Sequence, residues 1–154
     1  MLPERVAFEE RVFLSADVGR IAGVSLRQLQ WWDEGKLVSP RIDAHRRIYV
    51  PDQVLEILVI AALRRKGLSL QKTRKILRLL RRELGPSGLL QTKPKSYLVT
   101  DGNSAFIGDQ PAAVLGRIAE ATKAVHVVSL GDLMKRIASE AVPRRYRAKQ
   151  LELF

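Results

Sequence analysis

The chain has no cysteine, which excludes disulfides, thiolate metal sites and cysteine redox sensing together. Histidine is almost as scarce. His45 and His126 are the only two in 154 residues, too far apart to propose a metal site, so neither metal nor cofactor is expected. No apolar run approaches the ~18 residues of a membrane-spanning helix, and nothing near the N-terminus resembles a signal peptide. A cytoplasmic protein is the expectation. There is no internal repeat, no low-complexity tract, no Ser/His/Asp set, no glycine-rich phosphate loop and no paired-acid motif, so an enzyme is not expected. Negative charge is also in short supply, with 16 Asp+Glu against 27 Lys+Arg and a net charge of +11. Such an excess favours a polyanionic partner, nucleic acid first and an acidic membrane surface second. The excess is not a tail effect: residues 1–84 hold 17 basic and 10 acidic side chains, and residues 85–154 hold 10 and 6.

What is present is a chain with 46% hydrophobic residues, enough to bury the core of one domain or two small ones. It is organised around Phe13–Tyr49. Residues 1–12 read as a flexible lead-in. Ser15 suits a helix N-cap with Asp17 in the first turn, and Val18, Ile21 and Ala22 supply a short apolar face. Gly23 breaks this helix with a turn. Ser25 and Gln28 form a Ser-x-x-Gln capping box for a second helix. Leu26, Leu29 and either Trp31 or Trp32 can face the core there, leaving Arg27, Gln28 and Gln30 outward. Gly35 ends it. Leu37–Val38 and Arg47–Val50 then read as two strands around a basic loop, Pro40–Arg46. Helix, glycine turn, helix and basic hairpin make a helix-turn-helix with a wing, which implies duplex DNA.

Pro51 opens a third helix, apolar nearly all round and expected to be buried on several sides. Ser69 caps a fourth, with Leu70, Thr73, Leu77, Leu80 and Leu84 on one side and Lys72, Arg74, Lys75, Arg78, Arg81 and Arg82 on the other. Gly85-Pro86 stops it. Beyond lie two β-prone runs, Tyr97–Thr100 and Ser104–Ile107, joined through Asp101-Gly102-Asn103. A helix from Pro111 to about Ala124, a strand Val125–Val128 and a last helix capped by Ser129 follow. The expected fold is α+β: a four-helix winged helix-turn-helix domain over 13–85, a small ββαβα module over 95–142, and a basic tail over 143–154.

The run Leu14–Leu84 resembles the DNA-binding domain of the MerR family of bacterial transcription regulators. The resemblance rests on IAGVSLRQLQWWDEGKL, on RRIY before a helix, and on LRRKGLSLQKTRKIL. It implies that the second helix enters the major groove and the wing follows the flanking backbone. Arg27 matches the family's helix-two arginine, Trp31 and Trp32 its paired aromatics, and Arg47 and Tyr49 its Arg-x-Tyr wing. Gln30 replaces a common arginine, and the tryptophans replace tyrosine hydroxyls with an indole N–H. The family's long dimerisation helix has no counterpart after Gly85-Pro86.

The expected function is therefore a sequence-specific double-stranded DNA-binding protein, a transcriptional regulator acting as a homodimer at the nucleoid. Its expected DNA contacts are Ser25, Arg27, Gln28, Gln30, Trp31, Arg41, His45, Arg46, Arg47 and Tyr49. The ββαβα module is assigned to oligomerisation or partner binding. One feature opens an alternative. Gln150-Leu151-Glu152-Leu153-Phe154 resembles the Gln-Leu-x-Leu-Phe peptide that docks bacterial proteins into the sliding clamp, with Gln150, Leu151, Leu153 and Phe154 as its anchors. The alternative is a DNA-binding adaptor that holds a protein partner, either the clamp or a toxin in the manner of an antitoxin.

Overall fold

The structure is a computed structural model that describes residues 11–141. Residues 1–10, most of the expected lead-in, lie outside the described residues, as do 142–154 with the basic tail and the peptide Gln150–Phe154. The described chain holds six α-helices and two three-stranded sheets. It divides into two compact units. The first contains residues 11–58 and 135–141, the second residues 59–134.

The first unit begins with β1 (Phe13–Leu14), then α1 (Ser15–Ala22) and α2 (Leu26–Glu34). Leu14, not Ser15, is the N-cap of α1. Strand pairing with Ile48 holds Leu14 extended, and the Asp17 carboxylate three residues on accepts its N–H at 3.3 Å. Gly23 ends α1 in the left-handed region, at φ 68°, where a side chain would be strained. The wing is a sheet of order β1-β3-β2, with β2 at Arg41–Asp43 and β3 at Arg46–Tyr49.

This wing differs from the sequence expectation in three ways. Leu37 and Val38 are buried but form no strand, because both their N–H groups donate to the Trp32 carbonyl, at 2.8 and 3.3 Å. They close the C-terminus of α2, whose last carbonyls need donors. The strand partner is instead Arg41–Asp43, inside the segment read as loop. It can pair because Ala44 and His45 turn the chain in two residues, both at positive φ, as a type I′ hairpin requires. The third strand, β1, comes from ahead of the helices and had no sequence signal at two residues long.

α3 (Pro51–Arg65) starts with proline at its first position, and its residues contribute to both units. It is buried on most of its surface, through Val54, Leu55, Ile57, Leu58, Val59, Ile60, Ala61 and Leu63, as a helix apolar nearly all round demands. In the second unit α4 (Leu70–Leu84) is capped by Ser69, whose Oγ accepts the Lys72 N–H at 3.2 Å. Thr73, Ile76, Leu77 and Leu80 form its buried stripe, while Leu70 is exposed.

A sheet of order β5-β4-β6 follows, with β4 at Tyr97–Thr100, β5 at Ala105–Gly108 and β6 at His126–Ser129, all antiparallel. The Asp101 carboxylate accepts the Asn103 and Ser104 N–H groups at 2.9 and 2.8 Å. Those two bonds, Ser104's first, hold Asp101 below the usual carboxylate range. α5 (Pro111–Glu120) packs on β4 and β5, ending four residues earlier than expected. α6 (Leu130–Ala141) starts where Ser129 Oγ accepts the Asp132 N–H at 3.2 Å. The architecture is the expected α+β one: a four-helix winged helix-turn-helix followed by ββαβα.

Candidate nucleic-acid interface

α2 is short, and its burial is one-sided. Leu29 and Trp32 face the core. Arg27, Gln28, Gln30, Trp31 and Glu34 are exposed, and Trp31 is 57% accessible. Of the two tryptophans, then, the second is core and the first is surface. Leu26, expected inside, is 59% exposed, because the turn from Gly23 to Ser25 places the first helical position on the outer side.

Several outward polar groups on α2 are already engaged within the helix. The Ser25 N–H donates to Gln28 Oε1 at 2.9 Å, and the Gln28 N–H donates to Ser25 Oγ at 3.0 Å. That is the capping box read from sequence, and it uses both side chains. The Gln30 amide donates to Glu34 Oε1 at 2.9 Å. Arg27 makes no hydrogen bond among the described residues. Its guanidinium lies over the Trp31 ring, 5.4 Å from the centroid. A cation on an exposed indole one turn away is held by roughly 0.5–1 kcal/mol, which restricts the arginine without consuming its donors.

The wing is tied to this helix by one contact. Arg47 Nε donates to Asp33 Oδ2 at 2.7 Å, joining β3 to the last turn of α2. This bond, with the attraction of Asp33, holds the Arg47 guanidinium above its ordinary range against a partial desolvation. Asp33 directly follows the paired tryptophans, and its role as the wing's anchor had no local signal at a separation of 14 residues. A second tie comes from Gln53 in the first turn of α3. Its amide donates to the Ser39 carbonyl at 2.9 Å and accepts the Val50 N–H at 3.0 Å, pinning both ends of the wing.

Arg41, His45 and Arg46 are exposed on the hairpin, and none has an ion-pair partner among the described residues. Tyr49 is different. Its side chain is fully buried, and it pairs with Phe13 across the sheet. Strand alternation decides this: Arg47 and Tyr49 share one face of β3, and at Tyr49 that face is core. The expected contact through Tyr49 therefore gives way to a packing role. Its hydroxyl has no hydrogen-bond partner. Burial pushes the phenol above its ordinary range, and the neighbouring Ser15 hydroxyl pulls the other way without closing a bond.

In the second unit, an open cleft of about 230 Å³ lies beside the β4–β5 hairpin and the end of α5, lined by Val99, Phe106, Arg117, Glu120 and Val125. The Arg117 guanidinium stacks 4.5 Å from the Phe106 centroid. No group of three or more His, Asp or Glu able to hold a metal ion occurs among the described residues. No described helix is long and apolar enough to cross a membrane.

A solvent-facing helix presenting an arginine, preceded by a glycine turn and braced to a basic hairpin, defines a winged helix-turn-helix DNA-binding module. Comparison with known families agrees. Residues 14–80 match the model described as MerR HTH family regulatory protein, so this segment is a MerR-like DNA-binding domain. The match supports a DNA-binding regulator at the level of the family, for this segment of the chain. No curated protein matches the chain.

Proposed function

We propose that the protein binds duplex DNA sequence-specifically as a transcriptional regulator, with α2 in the major groove and the β2–β3 hairpin along the flanking phosphates. The observation that carries this is the Arg47–Asp33 bond, which fixes a basic hairpin to the helix that displays Arg27. In this reading Arg27 reads a base edge. Arg41, His45 and Arg46 neutralise phosphates, Arg47 sets the distance between helix and wing, and Trp31 orients Arg27. Ser25, Gln28 and Gln30 shape the helix end more than they read bases, since their polar groups are paired within it. The functional division follows the sequence: 13–85 for DNA, 95–142 for oligomerisation or partner binding.

Duplexes selected from a random pool, followed by titration at several salt concentrations, test it. Arg27→Ala should cost about 1–3 kcal/mol on the selected site and flatten preference at one base pair. Arg46→Ala should weaken selected and unrelated duplexes alike and reduce the salt slope by about one. Unchanged affinity in both variants would overturn the docking. The terminal sequence QLELF supports a second reading, an adaptor that delivers a partner such as the sliding clamp to DNA.

A further inference from the structure

Among the described residues of the first unit, the large apolar side chains more than half exposed are Leu26 at 59%, Ile42 at 58% and Trp31 at 57%. Single scattered surface leucines are ordinary, but these three are not scattered. Two stand on α2 and one on the β2–β3 hairpin, whereas α1 and α3 expose none. Trp31 carries the Arg27 guanidinium on its ring, and Ile42 stands across the hairpin from Arg47.

The turn before α2 sets the place of Leu26. The Gly19 carbonyl accepts the Val24 N–H at 3.0 Å, and a Cβ on Gly19 would meet the Val24 oxygen at 2.9 Å. Glycine therefore lets the turn close on α1. The closed turn makes Leu26 the first residue of α2 and rests its Cδ2 methyl 3.8 Å from where a Gly19 Cβ would stand. The rest of the side chain faces outward. A recognition helix meets base edges with its N-terminal residues. At that end of α2 the Ser25 and Gln28 side chains are bonded to each other's backbone, which leaves Leu26 and Arg27 as the groups to meet a base.

We propose that Leu26 is a specificity-determining residue that recognises the C5 methyl group of a thymine in the major groove, beside the base pair that Arg27 reads. The proposal rests on the DNA-binding reading and names what the half-site must contain. In the major groove the base edges present donors and acceptors, which leucine cannot engage, and one apolar feature, the thymine methyl. A leucine pressed on a polar edge would strand that edge without water. Against a methyl, both surfaces leave water together. Burying one methyl group changes affinity roughly fourfold. 5-Methylcytosine carries the same C5 methyl; in an unmodified duplex its source is thymine.

The test uses the full-length protein and the duplex it selects from a random pool. Selection should place a thymine next to the base pair whose preference Arg27→Ala flattens. At that thymine, titration compares thymine with deoxyuridine, which lacks only the methyl, and 5-methylcytosine with cytosine, both paired with guanine. In each comparison wild type should bind the unmethylated duplex roughly fourfold more weakly. Both ratios should stay constant as salt rises, because no charge is involved, while every affinity falls. Leu26→Ala should bring both ratios to one, and Leu26→Met should keep them. Ile42→Ala, an apolar loss on the hairpin, should leave them as in wild type. Each ratio is internal to one variant, so a loss of folded protein cannot mimic the effect. Overturning results are selection without a thymine there, equal wild-type affinity for thymine and deoxyuridine, or a ratio that survives in Leu26→Ala; all three leave DNA binding intact. Failure of wild type to bind any duplex would instead remove the DNA reading, and this proposal with it.

Discussion

Tyr49 is where sequence and structure part most sharply at the scale of a residue. Its position in Arg-x-Tyr makes it look like a wing contact, whereas strand alternation sends it inward with an unpaired hydroxyl. A buried unsatisfied hydroxyl costs about 1–3 kcal/mol. Tyr49→Phe should therefore raise stability at neutral pH, by about 1 kcal/mol in denaturant melts, and leave duplex affinity unchanged. The pH dependence follows from the direction of the shift. A phenol whose folded-state pKa lies above the unfolded value of about 10 loses no stability below that pH and loses it as pH rises through the folded value. Wild type should lose stability above about pH 10 by this route, and Tyr49→Phe should lose less there. A drop in affinity at neutral pH would return the hydroxyl to the DNA surface.

Elements were legible to the extent that their signals were local. The four helices, the Ser25/Gln28 box, the Gly23 turn and the ββαβα order could all be read from spacing, because caps and helical periods act within a few residues. β1 and the true pairing of the wing could not. β1 is two residues long and exists because β3 offers it an edge. The hairpin turns at Ala44-His45 instead of at a glycine or asparagine, so composition did not mark it. The Arg47–Asp33 bond belongs here too, since it joins two elements, and it yields a prediction against simple electrostatics. Removing an acid near a DNA surface should strengthen binding to a polyanion. If the bond positions the wing, Asp33→Ala should instead weaken binding to the selected duplex several-fold, with a smaller loss on unrelated duplexes. Titrations of both duplexes at matched salt distinguish the two, and a gain in affinity would remove the positioning role.

For the molecule as a whole, the family match over residues 14–80 accounts for less than half of the chain. The positive excess extends through both halves of the sequence, so charge does not divide the labour between them. The adaptor reading makes its own demand at this scale. Deleting residues 150–154 should abolish binding to a purified sliding clamp, measured by titration, and leave duplex affinity alone. Absence of clamp binding by the intact chain would end that reading.

The pairing of polar groups along α2 has a consequence in the currency of information. Ser25 and Gln28 are occupied by the cap and Gln30 by Glu34, so in the proposed docking one arginine does most of the base reading. A single bidentate contact discriminates by about 1–3 kcal/mol, against a genome that offers on the order of a million or more competing sites. One such helix spells too short a word to have a unique address. A regulator built this way must find its promoter by counting repeated words at a fixed spacing, or by reading how easily the DNA between them bends.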